Sequence, residues 1–176
     1  MDSTSSTPLQ TALRTLRTLQ GGGRPHERLH AHVEVARAYA GEAAWASAEA
    51  HLERALASGL AVPAVDARVD LACELAELAC RSAESAERAE RAESAQRGSG
   101  SAARRRARGH AAEAASLAAH VACPAWEIKV LLRISDVFDR LGNHDEAAEL
   151  QSRAMRLMSR EMSQALASLA ALTAAT

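Results

Sequence analysis

Residues 26–30 read His26-Glu27-Arg28-Leu29-His30. On a helix, this H-E-x-x-H pattern turns two imidazoles one turn apart toward one zinc ion, with the glutamate placed as general base. Glu53 is the candidate for a third ligand, and His32 for an adventitious metal site. The longer form of the motif adds a glycine and a third histidine. Here Val33 stands at the glycine and Ala36 at the last histidine. Nothing in the chain reads as a strand that would hold an extended substrate. Zinc hydrolysis is therefore the remotest reading, and a chain that is not an enzyme, with no metal and no cofactor, is expected.

Other chemistry is thinner still. Arg104, Arg105, Arg106 and Arg108 form the one strongly basic run. No aromatic residues interleave with it to stack on bases. Glu87, Glu90 and Glu93 precede it, so a loop folding back to pair these charges accounts for it without a ligand. The three cysteines, Cys73, Cys80 and Cys123, include no C-x-x-C pair and read as buried reduced thiols. Gly21-Gly22-Gly23 follows a helix rather than a strand, which argues against a phosphate loop. No G-x-S-x-G setting activates a serine, and Trp45 and Trp126 read as packing residues.

The elements that must carry these residues are helices. Apolar residues make up 48% of the 176, yet aromatics only 2%, so alanine and leucine do the packing. That composition suits closely spaced helices rather than sheets. With 21 basic and 22 acidic residues the net charge is −1, which points to neither nucleic acid nor a membrane surface. Residues 1–7, MDSTSST, lack the basic start and apolar core of a secretory leader, and no apolar run is long enough to span a bilayer. A cytoplasmic location is expected.

Residues 1–6 read as a disordered tail, and 7–176 as one domain. Thr7-Pro8 supplies an N-cap and first-turn proline for a leading helix bearing Leu9, Leu13, Leu16 and Leu19. Pro25 opens the next helix, with Val35, Ala36 and Tyr39. Glu42 to Ala44 makes a turn, and Trp45 to Ser58 returns. Pro63 opens a long helix whose apolar stripe fades near Cys80. Beyond it, RSAESAERAERAESAQR reads as a solvated extension projecting past the core, with a linker at 97–101. An alanine-rich helix then runs to about Val121. Pro124 opens a helix carrying Leu131, Ile134, Val137, Phe138 and Leu141. Gly142-Asn143 stops it, and Ala147, Leu150 and Ala154 mark the return.

One internal repeat organises this pattern. Ile134, Ser135, Phe138, Ala147 and Ala154 stand 99 positions after Val35, Ala36, Tyr39, Ala48 and Ala55, with no gap. The order of large, small, aromatic, small and small resembles the tetratricopeptide (TPR) repeat, a helix–turn–helix of about 34 residues. Repeat 1 has Ala43 at the turn glycine, and repeat 3 has Gln151 where an aromatic or leucine is usual. The resemblance implies an all-α, TPR-like right-handed α-solenoid of about three helical hairpins. Repeat 1 spans about 24–61, an enlarged middle repeat about 63–122, repeat 3 about 124–158, and a C-terminal capping helix about 159–172.

It also implies a protein-interaction scaffold that takes a peptide or helix along its concave face. By register that face carries His30, Val33 and Arg37 from repeat 1 and Lys129, Leu132, Asp136 and Arg140 from repeat 3. The lysine and asparagines that clamp a C-terminal carboxylate in one TPR subgroup are absent there, while Arg37, Lys129 and Arg140 favour an acidic peptide. The last repeat and its long trailing helix are also similar to the TPR-like sensory regions that precede output domains, such as diguanylate cyclases, in bacterial signalling proteins. On that alternative the chain is a regulatory fragment, and Met155 to Leu172 passes a signal or forms a dimer. Thin alanine-rich caps allow a homodimer through either terminal helix.

Overall fold

The computed structural model describes residues 7–59, 65–92 and 99–174. The tail at 1–6, Pro63 and the first part of the expected linker lie outside them. The described residues form seven helices: α1 (Pro8–Gln20), α2 (Pro25–Gly41), α3 (Trp45–Gly59), α4 (Val65–Ala92), α5 (Ser99–Ala118), α6 (Pro124–Arg140) and α7 (His144–Ala174). Neighbours in sequence pack on each other throughout, and α4 also touches α6. The hairpins α2–α3, α4–α5 and α6–α7 thus stack side by side, with α1 against α2.

Local chemistry sets the helix starts. Thr7 and Gln10 form a reciprocal capping box, the Gln10 N–H donating to Thr7 Oγ1 at 3.2 Å. Pro8, Pro25 and Pro124 occupy first-turn positions, where a missing N–H costs nothing. Leu16 of α1 is buried against Ala31 and Val35, so the leading helix lies on the first repeat.

The two turns related by 99 positions have the same geometry. Gly142 has φ +76° and Ala43 has φ +56°. Asn143 N–H donates to Phe138 O at 2.8 Å, and Ala44 N–H to Tyr39 O at 2.9 Å. Gly142 N–H reaches Asp139 O and Ala43 N–H reaches Ala40 O, completing a Schellman motif at each turn. The repeat positions Val35, Ala36, Ala48, Ala55, Ile134, Ser135, Phe138, Ala147 and Ala154 are all buried, and Tyr39 is half-buried.

Two main apolar clusters share α4. Leu29, Val33 and Ala36 of α2 and Ala48, Leu52 and Ala55 of α3 pack on Leu71, Leu75 and Leu78. The other face of α4 joins α5, α6 and α7.

The stretch after Cys80 is not the solvated extension its composition suggests. Ala83 is buried, and α5 runs back along α4 through Ala103, Ala107, Ala111, Ala114 and Ala118. Methyl groups at this spacing let two helix backbones approach closely, so the seam needs no large side chain. The expected linker is also shorter, because Ser99, Gly100 and Ser101 already belong to α5. Gly100 N–H donates to Glu90 Oε1 at 2.8 Å. A Cβ at Gly100 would lie 2.9 Å from Glu87 Cγ, so a larger residue there would have to displace the Glu87 side chain.

The C-terminal cap is corrected as well. α7 is one continuous helix, and from Met158 to Thr173 every residue is exposed. It extends beyond the last hairpin instead of covering it. No helix among the described residues is long and apolar enough to cross a membrane.

Candidate functional site

The first helices of the three hairpins, α2, α4 and α6, share one charged face. Asp70, Glu74, Glu77 and Glu84 recur along α4 at helical spacing. From α2, Arg37 donates through Nε to Glu74 Oε1 at 3.1 Å and through Nη1 to Glu34 Oε1 at 3.3 Å. From α6, Arg133 Nε donates to Glu77 Oε1 at 2.7 Å, and its Nη1 lies 3.6 Å from Asp70. Further along α6, Arg140 Nε donates to Glu84 Oε1 at 2.9 Å, with Asp136 at 3.9 Å.

These pairs add to the stability of guanidinium charges that are present at any ordinary pH. The Glu74 hydrogen bond raises the Arg37 pKa, and the Glu77 hydrogen bond does so for Arg133. At Arg140 burial opposes the charge, but the bond to Glu84 and neighbouring negative charge outweigh it. Each partly exposed pair contributes about 0–1 kcal/mol, so their larger effect is on register and surface potential. With Lys129, which shares the Arg133 and Arg140 side of α6, and Arg88, 3.8 Å from Glu84, the groups are five cations against six carboxylates, a net of −1.

The residues expected at this face divide. Arg37, Asp136 and Arg140 lie in the charged rows just described. Lys129 and Leu132 are exposed on α6. Val33 is not a groove residue: it is buried with Leu71 and Leu75, because its register points into the α2–α3–α4 core. His30 lines a cleft of about 560 Å³ between α1 and α2, beside Glu27, Glu34, Thr11 and Thr15. Arg37 and Arg140, expected to attract an acidic peptide, are already held by carboxylates of α4. Those carboxylates were missing from the sequence reading. Their spacing was visible, but the alanine-rich middle repeat left their face unassigned.

Of the H-E-x-x-H residues, Glu27 has a structural role. Glu27 Oε2 accepts from Arg24 N–H at 2.8 Å and caps α2, while His26 and His30 are exposed. Glu53 is not beside them. It stands on the other hairpin face with Glu49 and His110, the one group among the described residues whose donor atoms could surround a metal ion. The carboxylate of buried Glu49 already accepts from Arg106 through Nε at 3.0 Å and Nη2 at 3.4 Å. Glu49 thus has a cationic partner without a metal, as a buried carboxylate requires. His32, the other candidate ligand, faces His51 with the two Nδ1 atoms 3.1 Å apart.

The arginine run folds back as its charge pattern suggests, although onto three helices rather than one. Arg104 pairs with Glu87 of α4, Arg106 with Glu49 of α3, and Arg108 with Glu146 of α7. Cys73 and Cys80 are buried free thiols, with burial pushing each pKa up to about 11. Cys123 departs from the expectation: it is exposed, in the connection before α6.

No protein-family model matches the chain, and no curated protein matches it. Among solved structures it is similar to a Podosopora anserina protein of kinesin light chain type with nearly identical TPR-like repeats, and to a single-substitution variant of that protein. The identities are 18% and 19%, each with a TM-score of 0.38. These matches cover 87% and 88% of this chain and 86% of the other. It is also similar to BtubC (BKLC) from P. vanneervenii, at 13% identity and a TM-score of 0.34, over 85% of this chain and 71% of that one. The stacked hairpins, the paired Schellman turns and the buried small residues at repeat spacing give this chain a TPR-like, all-α helical-repeat fold.

Proposed function

We propose that the chain is a noncatalytic protein–protein interaction scaffold that takes an extended peptide or a helix along the groove of α2, α4 and α6. The observation that carries this reading is the charged face crossing all three first helices, with the carboxylate row of α4 along its middle. Its net negative balance favours a partner bearing lysine and arginine over an acidic one. Leu132, exposed on α6, gives such a partner an apolar contact beside the charges.

Selection of displayed peptides on the purified full chain tests this. Enriched sequences should carry basic residues. Their binding should weaken about tenfold, equivalent to about 1.4 kcal/mol, on Glu34→Lys/Asp136→Lys. Both side chains are well exposed, so the fold should tolerate the change. Glu113→Lys, an exposed position on α5, should leave binding unchanged. Equal binding to all three proteins would exclude this groove, and enrichment of acidic peptides would exclude the charge preference.

A further inference from the structure

The projecting half of α7 carries an apolar seam that the fold leaves open. Met155, Met158, Met162, Leu166, Leu169 and Leu172 are between 46% and 68% exposed. In heptad register Met155, Met162 and Leu169 take one seam position, and Met158, Ala165 and Leu172 the other. The charges on this length, Arg156, Arg160 and Glu161, all lie off the seam. Tertiary packing, from which most helical stability in proteins comes, does not reach this length.

Comparison of the two related repeats argues against a further repeat as the occupant. α3 and α7 start at equivalent positions, but α3 has 15 residues and α7 has 31. In repeat 1 the helix that follows, α4, covers Leu52 and Leu56 of α3. Their counterparts 99 positions on are Gln151 and Met155, both exposed. Where a following repeat would bury a leucine, this chain has a glutamine. Met155 and Met158 fall within the counterpart of α3, but Met162, Leu166, Leu169 and Leu172 lie beyond it, at the spacing of a helix–helix seam.

We propose that this seam binds a second copy of the chain, forming an antiparallel α7–α7 homodimer. The pairing closes on itself: Met155 meets Leu172, Met158 meets Leu169, and Met162 meets Ala165 across a two-fold axis. The 17 steps from Met155 to Leu172 span about 26 Å at 1.5 Å per residue. Two antiparallel copies therefore hold their hairpin bodies at opposite ends, whereas a parallel pair would crowd them together. At about 100 Å² of apolar surface for each exposed Met or Leu, the ten such side chains in the seam hide roughly 1,000 Å², about the area a specific interface must clear.

Light scattering on the eluting full chain, from micromolar to submillimolar concentration, reads the result. The wild type should approach twice its 18.6 kDa. Met162→Glu/Leu169→Glu should run as a monomer, with its circular dichroism still showing a folded helical body. A wild type that stays monomeric throughout would overturn the proposal, as would a folded double variant that still dimerises. Orientation is read in a Cys123→Ser background. Met155→Cys/Leu172→Cys should form disulfide-linked dimers, and Leu172→Cys alone should not. Cross-linking of Leu172→Cys to itself would overturn the antiparallel arrangement.

Discussion

His32 of α2 and His51 of α3 meet at 3.1 Å with Tyr39 alongside, its ring centroid 5.6 Å from that of His51. One imidazole must donate a proton and the other must accept it, so the contact fails once both are charged. Burial lowers both pKa values below the usual 6.5. Arg54 and Arg28 add to this at His32, and His32 and Arg54 at His51. The sign follows from linkage. In acid the unfolded chain takes up these protons near pH 6.5, before the folded chain does, so stability falls as the pH drops through and below that value. Urea unfolding from about pH 8 to about pH 5 should lose midpoint more steeply for the wild type than for His32→Gln/His51→Gln. Parallel curves would remove the pair from the account. Sequence alone offered His32 only as a stray ligand, because its true partner lies on another helix and depends on the hairpin register. Glu27 was misleading for a related reason: a glutamate three residues after the residue preceding a helix reads equally well as a general base or a cap.

At the scale of elements, the shared turn of repeats 1 and 3 gives a direct comparison of residue types. Gly142 adopts its left-handed conformation without side-chain cost, while Ala43 adopts nearly the same one with a Cβ. For an L-residue that conformation costs about 1–2 kcal/mol, partly offset in the alanine by a smaller loss of chain entropy on folding. Ala43 is exposed and buries nothing that glycine would forfeit. Ala43→Gly should therefore raise stability by roughly 0.5–1 kcal/mol, and Gly142→Ala should lower it by about 1 kcal/mol. Denaturant unfolding of the two variants should move in opposite directions, and movement in the same direction would reject the turn argument. These turns were legible beforehand because each glycine or alanine stands at a fixed offset from an aromatic residue. The α4–α5 seam was not, since pattern reading relies on large apolar residues and alanine marks a solvated helix as readily as a tight one. Spacing held the usable signal: Ala103, Ala107, Ala111, Ala114 and Ala118 form a single stripe.

At the scale of the molecule, α4 belongs to both main apolar clusters and joins the three hairpins into one body. That body was foreseeable from the 99-residue internal match, which fixes the first and last hairpins and leaves room for one between. The middle of the candidate face was not, because a match between repeats 1 and 3 says nothing about which side of α4 looks outward. The far end of the chain stands apart from the body. Among the described residues, Ala154 is the last that is buried, and Leu157 the last that is half-buried. Residues beyond Leu157 contribute no side chain to any core cluster among the described residues. Truncation after Leu157 should accordingly leave a folded body with nearly the dilute full chain's melting temperature, even though a long piece of helix is gone. Concentration separates the two forms further. Association stabilises the folded state by mass action, so the full chain should melt higher as it is concentrated. The truncated chain, lacking all but Met155 of the apolar seam, should show no such rise. A truncated chain that unfolds well below the dilute full-length protein would mean that α7 supports the hairpins from outside, and that the division between body and projecting helix is wrong.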